Sequence, residues 1–517
     1  MSDRPPDPTV LVVGAGPTGL ALACGLRSRG ISVRVVDKAQ GPITTSRALG
    51  VQPRGVEVLL RLGALGDLPD QVIPLREVRM HVAGKLISTM PMDRMGAASG
   101  HSPLLVSQVE VEGALRARLA ELDGRLDWGH ELVDYAPEPS GVTVTLRNSE
   151  GLQTVRTDWL AGCDGAHSTV RKLAGIGFPG VRVAEHFLIA DVRADWPLDR
   201  QVMSSWSHSG DMVSVCPLPG EVRWRVMGPS PSDTEGQLSQ DDVLALTKRQ
   251  LAKCTPYPVA GIEHVEWLST FRIHRRLADT YRKDRVLLAG DAVAIHHPFG
   301  GQGMNTGLGD AENLAWKLAM VAGADTDERL LDSYEAERRP VARGVLAGTD
   351  LMTRLVLAEH RATTLLRDRL VMPLMNTAKV QNFLWQNASQ LGVHYRKGPL
   401  AARAGRFGAG PRPGERVPDI ACRHPDGTPT RLHEALDGRW ALLATQGNDA
   451  SAEAAAVWLG DKDVVTLSPA TGRLDDVLLI RPDAHLAWRG RPAPDKLSRW
   501  LGELLSRCGT YSGEPTT

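Results

Sequence analysis

The 517-residue chain has no net charge, since 60 lysines and arginines balance 60 aspartates and glutamates. Without a basic or acidic excess, neither nucleic acid nor an anionic membrane is expected as a general partner, and a small neutral ligand fits better. The six cysteines, Cys24, Cys163, Cys216, Cys254, Cys422 and Cys508, are scattered without CxxC or any His/Cys metal spacing. That excludes a disulfide framework and a zinc site; no metal is expected, and the compartment reads as reducing and cytoplasmic. No apolar stretch approaches the length of a membrane span, and Met1 to Thr9 lacks the basic and apolar halves of a signal peptide. Internal repeats and low-complexity tracts are missing too. These absences leave a soluble protein, monomer or homodimer, acting on a small molecule.

What is present begins with a βαβ pattern. Thr9 to Val13 is a short β-branched run ending at Gly14, Pro17 to Arg29 reads as a helix rich in Ala and Leu, and Ser32 to Val36 resumes as strand. Between strand and helix stands Gly14-Ala-Gly16-Pro17-Thr18-Gly19, the dinucleotide fingerprint: a tight turn, a close approach for pyrophosphate and close helix packing. Asp37, followed by Lys38, ends the second strand, where a carboxylate accepts hydrogen bonds from an adenosine ribose and repels a 2′-phosphate. FAD or NAD fits there, and NADP does not.

A second nucleotide-like stretch lies far downstream. Val286-Leu-Leu-Ala-Gly290-Asp291, then Pro298-Phe-Gly300-Gly301-Gln-Gly303-Met304-Asn305-Thr-Gly307, reads as strand, carboxylate and a glycine-rich turn opening a helix. Such a helix start offers unpaired N–H groups to an anion. Between the two, Cys163-Asp164-Gly165-Ala-His-Ser168 is a strand exit into a helix, with Asp164 and Ser168 suited to capping. Together the three stretches describe an FAD cradle.

The order of these motifs resembles the class A flavoprotein monooxygenases, the family of para-hydroxybenzoate hydroxylase and the larger bacterial polyketide hydroxylases, over nearly the whole chain. The resemblance implies an α/β (α+β overall) fold: a Rossmann-like FAD-binding domain with an inserted β-sheet substrate domain, plus a C-terminal thioredoxin-like domain. The expected boundaries are 1–178 with 272–403 for FAD, 179–271 for substrate and 404–517 for the last domain. Residues near 78–100 are candidates to join the substrate sheet. A Gly/Pro/Arg stretch, 404–414, reads as the linker. The tail has no CxxC, so no disulfide exchange follows from it.

The resemblance also implies roles. Asp164 and Gly165 lie where FAD and NADPH are both sensed, and Gln108 touches the cofactor. Gly290 and Asp291 meet the flavin ribityl and pyrophosphate region. Gly301, Gly303, Met304 and Asn305 sit under the pyrimidine edge of the ring, and Pro298 walls it near the reactive carbon. A helix start at that edge favours the anion formed on reduction by about 0.3–2 kcal/mol. Arg47 is the flavin-contacting arginine and the candidate for sensing flavin position during reduction. Two departures stand out. Ala294 replaces the family's histidine in Gly290-Asp291-Ala292-Val293-Ala294, and His297 stands where a second proline is common. His297, like His296, is placed to donate a proton or hydrogen bond to substrate, with loop packing as its alternative. Met203, Trp206, Met212, Trp224 and Met227 are substrate-side candidates, with strand-core packing as theirs.

With no second GxGxxG, NADPH or NADH is a transient co-substrate. The implied activity is an FAD-dependent, NAD(P)H-consuming and O2-consuming monooxygenase that hydroxylates an electron-rich aromatic or polyketide through a flavin C4a-hydroperoxide. Baeyer-Villiger oxygen insertion, oxidative inactivation of an antibiotic and a non-enzymatic FAD-binding interaction protein are the alternatives.

Overall fold

Val10–Val13 is a strand with all four side chains buried, as a β-branched run entering a glycine turn favours. In the computed structural model it lies within a six-stranded sheet. The strand order is Arg282–Lys283, Val286–Leu288, Trp159–Gly162, Val10–Val13, Val33–Asp37 and Arg125–Trp128. All but the first are parallel. The structure describes residues 7–505 apart from 46–47, 93–99, 209–210, 231–238, 258–261, 297–300, 324–325, 357–376, 403–409 and 446–448. Arg47, His297 and Pro298 therefore lie outside the described residues.

Helix Pro17–Arg27 and the long helix Gln302–Gly323 pack on this sheet and on each other. Their contact is close because a Cβ on Gly25 would reach 2.7 Å from the Ala315 methyl carbon. The first helix ends two residues before the expected Arg29, because Ser28 already closes it as C-cap. Helix Gln108–Glu121 begins under a capping box: Ser107 Oγ accepts from the Glu110 amide, and the Glu110 carboxylate accepts from the Ser107 amide at 2.9 Å.

An eight-stranded sheet forms the second layer. Its order is Ala294–Ile295, Ile262–Leu277, Gly180–Ala194, Arg223–Ser230, Asp211–Pro217, Val202–His208, Glu77–Val82 and Lys85–Pro91. One face buries Trp196, Trp206, Trp224, Val213, Val215 and Val226 against helix Gln240–Cys254. The other face meets the small sheet of Leu49–Val51, Leu104–Ser107 and Ile73–Pro74, together with helix Ala378–Ala388. Strand Arg223–Ser230 starts after Val222, a turn residue with φ of +51°. The run Val155–Leu160 is two strands, Gly151–Thr157 in an antiparallel three-stranded sheet and Trp159–Gly162 in the parallel one.

The C-terminal region folds around a six-stranded sheet, ordered Pro429–Arg431, Ala421–Arg423, Val464–Pro469, Trp440–Leu443, Val477–Ile480 and Leu486–Gly490, with helices Leu432–Leu436, Asp449–Leu459 and Pro494–Leu504 beside it. Among the described residues, no helix is long and apolar enough to cross a membrane. The same residues hold no cluster of His, Cys, Asp and Glu fit for a metal.

Candidate active site

Four segments leave the C-terminal ends of four adjacent parallel strands, which is where open α/β sheets bind ligands. Gly14–Gly19 follows Val10–Val13, Asp37 ends the next strand, Cys163–Gly165 follows Trp159–Gly162, and Gly290–Asp291 follows Val286–Leu288. Gly14 has φ of +108°, and a Cβ there would collide with the Cys163 carbonyl, so only glycine lets the two turns touch. At Gly16, in contrast, a Cβ would meet nothing. Gly16 is the N-cap of helix Pro17–Arg27, whose first turn has neither a side-chain cap nor an acidic residue. The turn's donors are thus left for an anion.

Asp37 sits at the rim of this turn. Its Oδ2 accepts from the Ala15 amide and its Oδ1 from the Ala39 amide, both at 2.8 Å, which leaves lone pairs for ribose hydroxyls. Lys38 is exposed. Asp164 Oδ2 accepts from the Thr169 and Val170 amides at 2.6 and 3.1 Å, and Ser168 Oγ accepts from Arg171. The capping reading of this stretch therefore describes its geometry, while Asp164 Oδ1 is buried with no protein partner. Gly165 has φ of +76° and open space beyond it.

Gly290 has φ of +66°, and a Cβ there would stand 2.5 Å from Thr18 Oγ1; one on Gly307 would collide with the same hydroxyl. Thr18 is the post on which the downstream turn and helix close. The Gly290 amide donates to Asp310 Oδ2 at 3.2 Å. Asp291 is crowded by protein yet exposed to solvent; burial raises its pKa and His296 opposes the shift. Gly301, Gly303 and Met304 form the start of helix Gln302–Gly323, where a Cβ on Gly303 would lie 3.8 Å from the His296 ring. Asn305 lies in the same first turn. Its side chain is buried and spent on protein: Oδ1 accepts from the Gln52 amide at 2.8 Å, and Nδ2 donates to the Gly301 and Gly50 carbonyls at 2.7 and 3.3 Å. Gln108 donates to Glu112 at 2.8 Å.

The five substrate-side candidates separate by pleat. Trp206 and Trp224 are corrected: they point to the face under helix Gln240–Cys254, where Trp224 Nε1 donates to the Ala194 carbonyl at 2.9 Å and the Trp206 ring meets Tyr257 edge-on. Both are core. Met203 and Met227 point the other way, into an apolar cluster with Leu75, Met92, Leu105, Cys216 and Trp385. Met212 is buried and shares the pleat side of Met227.

Residues beyond the sequence reading complete this wall. Trp385 sits on helix Ala378–Ala388, and Gln390, just after it at φ of +58°, donates to Gln302 Oε1 at 2.7 Å and Thr306 Oγ1 at 3.1 Å. Gln302 in turn donates to the Ala388 carbonyl at 2.9 Å, so the substrate-side helix is bolted to the flavin-side helix start. Beside them, Arg225 and Asp191 form a buried bidentate pair at 2.7 and 2.8 Å. No local pattern marks Gln390 or Trp385, and the charges at 191 and 225 share their strands with others such as Arg193 and Arg223.

Comparison with known proteins agrees with this geometry. Residues 7–349 match the FAD binding domain family and residues 410–507 the family described as aromatic-ring hydroxylase, C-terminal. The chain belongs to the FAD-dependent aromatic-ring hydroxylases. A 6-methylpretetramide 4-monooxygenase of Streptomyces rimosus is 35% identical to this hydroxylase, over 94% of the chain and 91% of that protein. A rifampicin monooxygenase of Streptomyces venezuelae is 34% identical over 95% and 98%. The solved anhydrotetracycline hydroxylase from Streptomyces rimosus superposes with a TM-score of 0.80 at 32% identity, covering 96% of this hydroxylase and 99% of that chain. The enzyme is thus an FAD-dependent monooxygenase of the Rossmann-like α/β type, with NAD(P)H as the family's reductant and O2 as co-substrate. The glycine cradle, the uncapped helix start and the solvent-exposed Asp291 fit FAD.

Proposed function

We propose that this hydroxylase oxygenates a polycyclic aromatic polyketide held between the flavin cradle and the Met203–Met227 face of the eight-stranded sheet. One observation carries the reading: Gln302, at the glycine-rich helix start, donates to the Ala388 carbonyl and accepts from Gln390, which ties that start to the helix whose Trp385 stands in an apolar wall with Met203, Met227 and Leu105. An apolar wall of this breadth suits fused rings and keeps water away from the reacting atoms. The similarity to the 6-methylpretetramide and anhydrotetracycline enzymes supports the same class.

In this reading the turn at Gly14, Gly16, Pro17, Thr18 and Gly19 takes the pyrophosphate and Asp37 the adenosine ribose, with Lys38 and Gln108 at the margins. Asp164 and Gly165 lie beside the cofactor, Asp291 holds its ribityl region, and the helix start at Gly301, Gly303 and Met304 faces the ring. Held by these residues, FAD would supply the hydride acceptor for NAD(P)H and the means of activating O2. The chain's residues orient the ring, exclude water and hold substrate; Arg47, Pro298 and His297 keep their proposed roles beside the ring. The division into an FAD domain (1–178 and 272–403), a substrate domain (179–271) and a C-terminal domain (404–517) belongs to the same proposal.

The test is oxygenation under 18O2 with NAD(P)H and a panel of polycyclic phenols. One 18O atom in the product, in step with nicotinamide oxidation, supports the reading; unlabelled substrate across the whole panel removes it. A second reading, oxidative inactivation of a naphthol antibiotic, is favoured by the rifampicin monooxygenase likeness, and turnover of rifampicin alone would select it.

A further inference from the structure

The C-terminal domain has no CxxC and none of the four strand-end motifs, yet it buries a charged hairpin tip in the FAD domain. Between strands Val477–Ile480 and Leu486–Gly490, the tip residues Arg481, Asp483 and His485 are each no more than 1% exposed. Arg481 donates to both Glu337 oxygens at 2.6 and 2.9 Å and to both Asp483 oxygens at 3.0 and 2.5 Å. Asn313, on the flavin-side helix, donates to Asp483 at 3.2 Å and to Glu337 at 2.9 Å, and Lys317 donates to Glu337 at 2.7 Å. Arg54 donates to the Asp483 carbonyl at 2.7 Å.

Desolvating so many ions is costly and is repaid only in one geometry. Adhesion does not require them, because the same interface has an apolar cluster in which Trp316 meets Trp440 edge-on at 5.3 Å beside Leu330 and Leu400. The charges add position. Their chain can be followed to the flavin turn. The His485 ring lies 4.2 Å from the Tyr395 ring; Arg338 donates to Tyr395 Oη at 3.0 Å, to the Thr306 carbonyl at 3.0 Å and to Asp310 Oδ1 at 2.6 Å. Asp310 Oδ2 receives the Gly290 amide, next to Asp291.

We infer that the C-terminal domain is a positioning element for the flavin turn: its buried tip Arg481–His485 fixes Tyr395 and Arg338, and through them Asp310, the carboxylate that holds the Gly290 amide. Asp310 is a positioning residue, and the domain's contribution to the reaction passes through it. The inference rests on the placement of FAD proposed above.

The experiment uses the full chain stripped of flavin. The FAD dissociation constant is read by fluorescence titration, the midpoint potential of bound flavin by dye equilibration, and the stability of the apoprotein by thermal unfolding. Tyr395→Phe removes one hydroxyl and keeps the ring on His485; it should weaken FAD binding about tenfold, the usual scale for a hydrogen bond to a charged group, and shift the potential. Asp310→Asn should do the same. Arg29→Met is the control, since Arg29 donates to the Gly438 carbonyl at 2.5 Å at the far end of helix Pro17–Arg27; it should lower stability and leave affinity and potential within about twofold. If Asp310→Asn fails to fold, Tyr395→Phe decides. Unchanged affinity and potential in Tyr395→Phe, or losses equal to those of Arg29→Met, would overturn the inference. Undiminished FAD affinity in Asp291→Ala would instead overturn the placement of FAD, and this inference with it.

Discussion

Replacing Glu337 by Gln should destabilise the enzyme at neutral pH more than almost any other isosteric change. The side chain is 0% exposed and receives hydrogen bonds from Arg481, Lys317 and Asn313. Burial alone would raise its pKa, but Arg481 and Lys317 reverse that and hold it at about 2, against 4.5 when free. The difference corresponds to roughly 3 kcal/mol, in line with the 3–5 kcal/mol typical of a buried ion left without its partner. The mechanism is the stranded Lys317 ammonium, already pulled down to about 8 by burial and relying on Glu337 to stay charged. Glu337→Gln with Lys317→Met should therefore recover at least about 1 kcal/mol relative to Glu337→Gln alone. Urea unfolding followed by tryptophan emission is a suitable assay, since Trp316 lies 5.1 Å from Arg481 and 5.3 Å from Trp440 at this interface. Because the stabilisation exists only while Glu337 is ionised, the deficit should be full above pH 4.5 and shrink as pH falls toward about 2. A deficit under about 1 kcal/mol at pH 7, or one that pH leaves unaltered, would refute the reasoning.

Further outcomes follow from the same contacts. Asp291→Ala should yield colourless protein on purification; full flavin occupancy would refute the placement of that carboxylate. Trp224→Ala should cost about 3–5 kcal/mol by opening a cavity under helix Gln240–Cys254, whereas Met227→Ala should raise KM with a smaller stability loss, a split read by thermal unfolding beside steady-state kinetics. Burial and then Arg61 depress His433 to about 3, from 6.5. Stability from its neutral form is complete above pH 6.5 and falls by up to about 1.4 kcal/mol per unit as pH drops toward 3. His433→Asn should flatten that limb of the pH–stability curve. Arg47→Ala should keep FAD and slow its reduction, measured anaerobically.

The cradle was readable because its constraints are local. Gly14, Gly16 and Gly19 stand at fixed spacing between a β-branched strand and a helix, and Asp37 follows one strand later. The hydrophobic alternation of Arg223–Ser230 likewise announces a two-faced strand, but nothing within it says which face meets the flavin. The pattern leaves Trp224 open to either face, and the fold puts it in the core. Distant pairing is the other blind spot. Arg54, Glu57 and Arg61 give helix Pro53–Arg61 the look of a solvated surface, yet all three are buried, because Arg416, His433 and Asp483 arrive from more than 300 residues away. Asp310 looks like one more polar helix position until the fold brings the Gly290 amide to it. On helix Asp332–Val356, Glu337 pairs with Lys317 and Arg481 and Arg338 pairs with Asp310, all buried, although their partners lie on other elements.

The most direct test of the central claim is anaerobic stopped-flow reduction of the bound flavin by NAD(P)H, with and without polycyclic phenols, followed by mixing with O2. The account predicts that one member of the panel accelerates bleaching of the flavin and that O2 then restores the oxidised spectrum with a hydroxylated product. Flavin that no nicotinamide reduces under any of these conditions would contradict it.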